Sequence, residues 1–493
     1  MRNNNIRVIN ITRLVHRDAH TMLVGKPFVF VTEYIEKLSA GLEKTPQKHG
    51  LTYGQKRWLE FCIMCIIVTE SVCWRKYVRA GLGRYSEAML SYYFRCDMTW
   101  NLLISISIRI VLDSFGSYEG ILVIDDSGKK RSKVTTQIPY VHYYKDKEGT
   151  GTIKGQETVF LVLVTPLITI LVGYEFYEPD PAYTKWAKED KRLKKLKVPS
   201  WKRPKKPALN KDYPTKQQVA LKLLQSFCQN CPYVKIKLVL ADALYGTADF
   251  MDKAILITGQ NQIISQLHNN QKVRDKRREW RLDEYFKTYP GVAKNIPVRG
   301  GKTERMIISS ARLYVEAHGC TRFVIAVRYP KQDEYRYLVA SDLSWRTDDI
   351  VKAYTIRWLV ETVIEDLKVY GGWGQATKQP GVEGSRRVLI LSILRDHCLL
   401  LHPEQQACAA AKKPLFTIGS LQRHLKFEAF IVWLDEWLEG EGMSDKIVQL
   451  TEAILPLVPL EKSSKHMSGR ESGRFEPTPS LQYRAQELQV RVS

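Results

Sequence analysis

Three short, unbroken runs of apolar residues constrain the fold of this chain more than any other feature. They read ILVI at 121–124, TVFLVLVTPLITILV at 158–172 and KIKLVLA at 235–241. Runs this short and this rich in β-branched residues are typical of strands buried on both faces. The middle run is long enough for two strands with a turn at Pro166. Because Asp125 directly follows the first run and Asp242 the third, we predict an α/β fold with acidic side chains at the ends of two central strands.

The segment YTIRWLVETVIEDLK, at 354–368, is the second constraint. On a helix, where each residue turns by about 100°, its polar side chains fall within about an 80° arc and its apolar side chains lie opposite. The polar residues are Tyr354, Arg357, Glu361, Glu365 and Lys368. Such a face is ordinarily a solvated surface. Carboxylates beside basic residues also suit a metal ion and a phosphate backbone, although Glu365 receives no role.

The remaining patterns divide the chain into regions. Helical spacing predicts a helical N-terminal domain, strand composition predicts a separate β-rich insertion, and the polar C-terminus predicts disorder. The predicted domains are a helical domain at 1–118, for which DNA binding and an ordinary helical bundle both fit, the first part of an α/β core at 119–261, the β-rich insertion domain at 262–345, the core segment with the third acid at 346–400, a C-terminal helical region at 401–460 and a disordered tail at 461–493.

The chain is strongly basic, with 75 Lys and Arg residues against 52 Asp and Glu residues and a formal net charge of +23. This balance favours a polyanionic partner, with nucleic acid ahead of an anionic membrane surface. The stretch 185–211 holds twelve basic residues and two acidic ones, which predicts an exposed basic loop leading into a helix at 215–229. A solubilising loop and a DNA contact both fit this stretch.

Several classes of protein are disfavoured. No apolar run is long enough to span a bilayer, and the N-terminus does not resemble a secretion signal. Nine cysteines without disulfide-like spacing fit a reducing cytosol. Cys62 and Cys65 have zinc-like spacing, but their apolar surroundings favour core packing. Cys228 and Cys231 have no nearby pair of ligands to complete a zinc site.

Asp125, Asp242 and Glu361 form the candidate catalytic set. Each aspartate alone has an ordinary interpretation, since Asp-Asp-Ser-Gly favours a turn and Asp242 can cap a helix. Together they follow the order strand–Asp, strand–Asp, helix–Glu. Converging carboxylates repel one another unless a divalent cation lies between them. Three carboxylates can hold two Mg²⁺ ions roughly 3.5–4 Å apart, the arrangement that serves phosphoryl transfer.

These residues resemble those of a known family, the DDE transposases of bacterial insertion sequences, which have a ribonuclease-H-like catalytic core. The chain is most similar to the subgroup with the signature Tyr-x2-Arg-x3-Glu-x6-Lys, which in this sequence is Tyr354, Arg357, Glu361 and Lys368. Upstream, VIDDSG and LVLADALYG resemble the family's two aspartate motifs. The subgroup also carries a β-rich insertion between the second aspartate and the glutamate. The resemblance covers roughly 119 to 400.

The resemblance implies that Asp125, Asp242 and Glu361 bind two Mg²⁺ or Mn²⁺ ions, and that Tyr354, Arg357 and Lys368 contact DNA. Asp126 is an alternative first acid, because a shift of one residue along a strand swaps which side chain points inward. The family pattern favours Asp125, two residues before Ser127. Some relatives hold a flipped base with an aromatic residue of the insertion. The candidate equivalents in this chain are Tyr335 and Tyr337, and neither is assigned.

The implied activity is cut-and-paste transposition: metal-dependent cleavage at the ends of an insertion sequence, then joining of the 3′-hydroxyl ends to target DNA. The partners are double-stranded DNA, at the transposon ends and the target, and a second copy of the chain on that DNA. No membrane partner is expected, and the location is the cytoplasm of a bacterium, at the nucleoid. Two alternatives stay open, namely a structure-selective nuclease of the same fold and a non-catalytic DNA-binding protein derived from a transposase.

Overall fold

The computed structural model describes most of the chain, in two compact units. The described residues are 24, 26–46, 49–81, 84–131, 136–145, 151–298, 303–329, 332–377, 380–438, 445, 447–448, 451, 460–463, 465 and 475–492. The first unit is drawn from 1–111, 366–407 and 416–462, and the second from 112–365, 408–415 and 463–493.

The first unit is helical in its described part. The helices that lie wholly or mostly in it are α1 (Val29–Glu43), α2 (Tyr53–Thr69), α3 (Trp74–Ala80), α4 (Glu87–Arg95), α5 (Trp100–Phe115), α12 (Gly381–Leu400), α13 (Pro403–Ala410) and α14 (Ile418–Leu438). A capping box between Thr52 and Gln55 fixes the start of α2. Helices α1 to α5 lie within the region for which a helical domain is predicted. Residues 1–23 of that prediction lie outside the described residues.

No single helix in the described ranges is long and apolar enough to cross a bilayer. Helices α4 and α5 reach that length and apolarity only as a pair, and they meet at an angle of 83°.

The second unit is built on a 12-stranded sheet, as far as the described residues extend. The strands are β1 (Glu119–Lys130), β2 (Val141–Lys145), β3 (Thr152–Val164), β4 (Thr169–Tyr177), β5 (Lys235–Ala241), β6 (Gln262–Leu267), β7 (Lys272–Asp275), β8 (Arg278–Arg281), β9 (Val292–Pro297), β10 (Thr303–Val315), β11 (Cys320–Arg328) and β12 (Arg336–Ala340). Their order is β2-β3-β1-β5-β6-β12-β11-β10-β7-β8, with β4 on β3 and β9 on β10. β1 runs antiparallel to β3 and parallel to β5, and β5 runs parallel to β6.

The first strand is longer than the sequence indicates. Asp125 was expected to follow the strand, but β1 continues to Lys130, and the predicted turn over the polar residues is wrong. Those residues are held in the strand by β3, whose Val159 and Thr158 lie opposite Asp126 and Ser127. This pairing with a distant segment overrides the local preference of Asp, Ser and Gly for turns.

The segment predicted as a separate insertion is β-rich, but its strands belong to the same sheet. β6 pairs with β5 on one side and with β12 on the other. The expected separation into a β domain of its own is therefore wrong at the level of the sheet, because backbone hydrogen bonds run continuously from β1 to β12.

Helices of the second unit flank these strands. They are α6 (Pro181–Lys195), α7 (Lys216–Asn230), α8 (Ala248–Ile257), α9 (Leu282–Thr288), α10 (Thr347–Thr355), α11 (Leu359–Val369, whose last residues belong to the first unit) and α15 (Pro479–Val492). The predicted basic loop at 185–211 is helical in its first part, because α6 runs to Lys195 and is capped by Asp180 with Pro181 at its first position.

Two further predictions need correction. The continuous helix at 354–368 is broken by a 3₁₀ turn at Ile356–Trp358, between α10 and α11. Part of the predicted disordered tail forms α15, which packs on β11, while Phe475 stacks on Trp345 with ring centres 5.8 Å apart. The rest of that tail, at 464, 466–474 and 493, lies outside the described residues.

Candidate active site

Asp125 and Asp126 are neighbours in β1, where successive side chains point to opposite faces of the sheet. Both are buried, each with 7% of its surface exposed. Asp125 accepts hydrogen bonds from Arg357 and from the backbone N–H of Asp126. The Oδ2 atom of Asp126 lies 2.9 Å from the Nζ atom of Lys216, at the start of α7. The two aspartates thus engage different helices.

Asp242 follows β5, as predicted, and begins a tightly fixed loop. β5 pairs with β1 so that Ala241 lies opposite Ile124, and the same register brings Asp242 beside Asp125. The Oδ1 atom of Asp242 accepts a hydrogen bond from the backbone N–H of Leu244. Its carbonyl accepts one of 2.6 Å from the hydroxyl of Ser265 in β6. Asp242 therefore caps the following turn and also joins the acidic cluster, so the two interpretations of this residue do not exclude each other.

Position 246, in this loop, has room for glycine but for no larger residue. A Cβ atom at this position would lie 2.0 Å from the carbonyl oxygen of Gln266. The loop after Asp242 thus packs its backbone directly against β6, which restricts the positions available to Asp242.

Arg357 connects the strands to the helix that carries Glu361. Its Nη1 donates to Oδ2 of Asp125, and its Nη2 donates to Oε1 of Glu361. The distance is 2.7 Å in each case. The 3₁₀ turn that contains Arg357 lies just before Glu361, and the side chain of Glu361 is 48% exposed. The hydroxyl of Tyr354, at the end of α10, donates a hydrogen bond of 3.2 Å to the carbonyl of Ala241. Asp125, Asp242, Tyr354, Arg357 and Glu361 are thus drawn together around one end of β1 and β5.

Lys368 is placed differently. It lies in the last turn of α11, in the part of this helix that belongs to the first unit, and its Nζ lies 6.0 Å from the centre of the Trp373 ring. Tyr335 and Tyr337 lie together on or near β12, with ring centres 6.4 Å apart.

A second set of polar contacts begins at Asp126 and does not involve Arg357. Lys216 contacts Asp126 and also Oε1 of Glu157, at 2.7 Å. The other oxygen of Glu157 lies 2.9 Å from Nε2 of His142. Sequence analysis missed Lys216, Glu157 and His142, because they come from α7, β3 and β2 and no local pattern connects them. The one local signal is the capping box of Thr215 and Gln218, which fixes where α7 starts and hence where Lys216 points.

The charges of the site shift several pKa values. Burial raises the pKa of Asp125 to about 6, Arg357 opposes this rise and Asp242 adds to it. Burial alone would lower the pKa of Arg357, but Tyr354, Asp125 and Glu361 raise it. Burial would also lower the pKa of Lys216, whereas Asp126 and Glu157 raise it. Asp125 is therefore a carboxylic acid that ionises reluctantly, beside cations that stay charged.

The carboxylates fit a divalent metal ion. One oxygen from each of Asp125, Asp126 and Asp242 lies within 4.8 Å of the others. Oxygen-only ligands of this charge suit Mg²⁺ or Mn²⁺. The hydroxyl of Tyr245 is buried without a hydrogen-bond partner among the described residues, and burial, then the charges of Asp126 and Asp242, raises its pKa. Glu361 is not a member of this close group, because Arg357 holds its carboxylate.

Part of the chain matches one family model. Residues 210–385 match the family described as the transposase DDE domain. The matched range contains Asp242, Tyr354, Arg357, Glu361 and Lys368, and Asp125 lies before it. No curated protein matches the chain in sequence. Among solved structures, the chain is similar to that of a piggyBac transposase synaptic complex with hairpin DNA, with 12% identity, a TM-score of 0.40, and coverage of 92% of this chain and 89% of that one.

Proposed function

We propose that this protein is a DDE transposase that cleaves DNA at the ends of an insertion sequence and joins the 3′-hydroxyl ends to target DNA. One observation carries the proposal: within a chain that matches the transposase DDE domain over 210–385, Arg357 joins Asp125 of β1 to Glu361 of α11, beside Asp242. Arg357 thus links one strand carboxylate to the helix carboxylate, and the second strand carboxylate lies beside the first, which supports the order that the resemblance implies.

The strand arrangement supports a ribonuclease-H-like core. β4, β3 and β1 are antiparallel, while β5 and β6 continue the sheet parallel to β1. The connection from β4 to β5 passes through α6 and α7, and that from β5 to β6 through α8. The first two proposed acids sit on β1 and directly after β5, at the centre of this arrangement.

Asp125 is our choice over Asp126 as the first catalytic acid. The contact of Asp125 with Arg357 brings it to the helix of Glu361, whereas Asp126 is paired with Lys216 of α7. In this proposal Asp125, Asp242 and Glu361 hold two Mg²⁺ or Mn²⁺ ions. When bound, such ions activate the attacking oxygen and stabilise the leaving one in phosphoryl transfer.

The other residues position DNA and balance its charge. The guanidinium of Arg357 neutralises two carboxylates, and its planar fork can bind a phosphate through two hydrogen bonds. Tyr354 and Lys368 are proposed to contact the DNA backbone as well. The reaction first breaks a phosphodiester at the end of the element by attack of water. The freed 3′-hydroxyl then attacks a phosphodiester of the target, and the target 3′-oxygen leaves. The protein acts as a dimer on double-stranded DNA, in the cytoplasm of a bacterium.

The test uses Asp125→Asn, Asp242→Asn and Glu361→Gln, with Asp126→Asn as the matched neighbour. The substrate is a labelled duplex that carries the inverted repeats flanking the gene, incubated with Mg²⁺ or Mn²⁺. We expect the first three variants to lose cleavage by at least about a hundredfold, since each removes a carboxylate that would hold a metal ion. End binding, measured by gel shift, should change by less than threefold. Asp126→Asn also removes a carboxylate of the close acidic group, but one that is paired with Lys216, so it should lose less cleavage than Asp125→Asn.

Full cleavage by any of the first three variants contradicts the assignment. Cleavage by the unmodified protein without strand-transfer products identifies a structure-selective nuclease instead. End binding without any metal-dependent nicking identifies a non-catalytic DNA-binding protein.

A further inference from the structure

A long excursion of the chain begins and ends beside the acidic cluster. We call residues 178–214, between β4 and α7, the basic arm. The residue before it, Tyr177, lies under the ammonium group of Lys216, with Nζ 5.2 Å from the ring centre. Lys216 in turn contacts Asp126 over 2.9 Å. Both ends of the basic arm are therefore tied to the neighbourhood of the proposed catalytic acids.

The basic arm is folded onto itself. Its first part is α6, and the following loop returns to that helix through two contacts. The indole Nε1 of Trp186 donates to the carbonyl of Pro204 over 2.8 Å. Arg203 pairs with Asp190 over 2.9 Å. These contacts give the arm a defined surface rather than that of an unstructured linker.

That surface is strongly cationic. Over 185–211 twelve basic residues face two acids, and both acids are already paired, Glu189 with Arg192 and Asp190 with Lys194 and Arg203. The exposed lysines on it are Lys185, Lys188, Lys191, Lys194, Lys195, Lys197, Lys202, Lys205, Lys206 and Lys211. The whole arm, 178–214, has twelve basic residues against five acids. An excess of positive charge at this density favours a polyanionic partner.

Trp201 is the unusual residue on this surface. It lies in a 3₁₀ turn, Ser200–Lys202, and is 81% exposed. Tryptophan is on average highly buried, and its large apolar area makes exposure unfavourable. The contrast with Trp186, which is used to fold the arm, is informative. A flat aromatic ring among lysines is the combination with which proteins hold unpaired bases.

We infer that the basic arm binds DNA next to the catalytic acids and that Trp201 stacks on an unpaired base there. The choice of DNA as the partner rests on the proposed function, because cleavage leaves a duplex end, and a terminal base pair opens more readily than one inside a duplex. The phosphates are neutralised by the lysines of the arm, and the indole ring replaces the lost stacking partner of the base. The arm therefore favours the opened end over intact duplex.

The test compares two labelled DNA probes with the full-length protein in EDTA, so that no cleavage is needed. One probe is a fully paired duplex, and the other carries a single unpaired 2-aminopurine. We expect Trp201→Ala to weaken binding of the second probe about tenfold, since stacking on one base contributes about 1–3 kcal/mol. Binding of the paired duplex should change by less than twofold. Stacking should quench 2-aminopurine fluorescence in the unmodified protein and in Trp201→Tyr, but not in Trp201→Ala.

Two further variants complete the design. Tyr483→Ala removes an aromatic residue of similar exposure from α15 and should affect neither probe. The third test changes Lys188, Lys191 and Lys195 together to glutamine. The plot of log affinity against log salt should become shallower, its negative slope shrinking in magnitude by about 2–3 for both probes.

The outcomes separate the possibilities. If Trp201→Ala weakens binding of both probes equally, Trp201 contacts duplex only. If it weakens binding of neither probe, Trp201 serves another partner, such as a protein. Either result overturns the inference, as does an unchanged salt slope. Because these measurements need neither metal nor the catalytic acids, their failure is distinct from a failure of the cleavage test.

Discussion

The imidazole Nε2 of His318 donates a hydrogen bond of 3.1 Å to the main-chain carbonyl of Gly246, four residues after Asp242. On the other side of the same ring, Nδ1 accepts a hydrogen bond of 3.3 Å from Nε of Arg322. Burial, assisted by Arg322, lowers the pKa of His318, so the neutral ring with its proton on Nε2 is favoured. A residue between β10 and β11 thus fixes the loop that begins at a proposed catalytic acid.

Replacement of His318 should loosen this loop without touching DNA. His318→Phe fills the same space but leaves the Gly246 carbonyl and Nε of Arg322 without this partner. We expect the free energy of unfolding to fall by about 1–3 kcal/mol. Cleavage should fall more than end binding. Glutamine can both donate and accept at this position, so His318→Gln should keep more of the stability and of the cleavage. Equal behaviour of the two variants in urea unfolding and cleavage assays would argue against the role.

Lys216 should contribute mainly to stability. Its ammonium group lies between Asp126 and Glu157, which are both buried, and Lys216→Met removes this cation from both carboxylates. We expect the free energy of unfolding in urea to fall by about 3 kcal/mol, in the range found when one partner of a buried ion pair is removed.

The control for this loss lies on the same helix. Lys222→Met removes an exposed lysine of α7 and should change the free energy of unfolding by less than about 0.5 kcal/mol. Adding Asp126→Asn to Lys216→Met should restore part of the loss. Strict additivity of the two changes would show that the pair does not interact.

Metal binding should depend on pH through Asp125. Its pKa is raised to about 6, chiefly by burial, so its carboxylate is charged above that pH and protonated below it. A divalent ion that binds below pH 6 must displace a proton, and its affinity should fall about tenfold per pH unit there. Titration of the protein with Mn²⁺, followed by electron paramagnetic resonance between pH 5 and 8, measures this. Asp125→Asn should bind Mn²⁺ weakly at every pH, and a flat profile in the unmodified protein would refute the assignment.

The stability of the first unit should also depend on pH, through His402. Burial, with a smaller effect of His424, lowers the pKa of His402 to about 4. Its ring packs edge-on against Phe30, and its Nδ1 accepts from the backbone N–H of Glu404 at the start of α13. Because the unfolded chain binds this proton at about pH 6.5, stability is complete above that value and is lost as pH falls towards 4. The full loss is about 3 kcal/mol.

His402→Asn tests this directly. Asparagine keeps an acceptor for the backbone N–H of Glu404 but does not titrate, so the free energy of unfolding should become flatter between pH 4 and 6.5. The matched variant is His49→Asn, which replaces an exposed histidine of the same unit and should keep the original slope. Identical slopes for His402→Asn and the unmodified protein would exclude His402 as the cause.

Sequence patterns predicted the strands well where burial is continuous. The run at 235–241 is β5 residue for residue, and the turn at Pro166 separates β3 from β4. The predicted strand end at Asp125 failed because the polar residues after it are paired with β3, far along the chain. The predicted helix through Tyr354 and Glu361 failed only at the 3₁₀ turn, since the turn is set by packing and not by the spacing of apolar residues.

The candidate site divides in the same way. Asp125 and Asp242 were predicted to meet because neighbouring parallel strands end at the same side of a sheet, and their carboxylate oxygens lie within 4.8 Å. Lys216 and His318 escaped prediction because they reach the site from elements more than fifty residues from the aspartate or loop they contact. Glu361 was expected to be a metal ligand from its place on the polar face of a helix and from the resemblance, and in the structure its carboxylate is held by Arg357.

The pairing of β6 with β12 makes the middle of this protein inseparable from its catalytic part. Ser265 of β6 holds the carbonyl of Asp242, and its partner in β12 is Val339. Excision of 268–340 would remove that neighbour and leave the edge of β6 unpaired and open to self-association. A shortened version of this protein that keeps only the acid-bearing elements should therefore aggregate, because the middle region supplies the strand that pairs with the edge of β6.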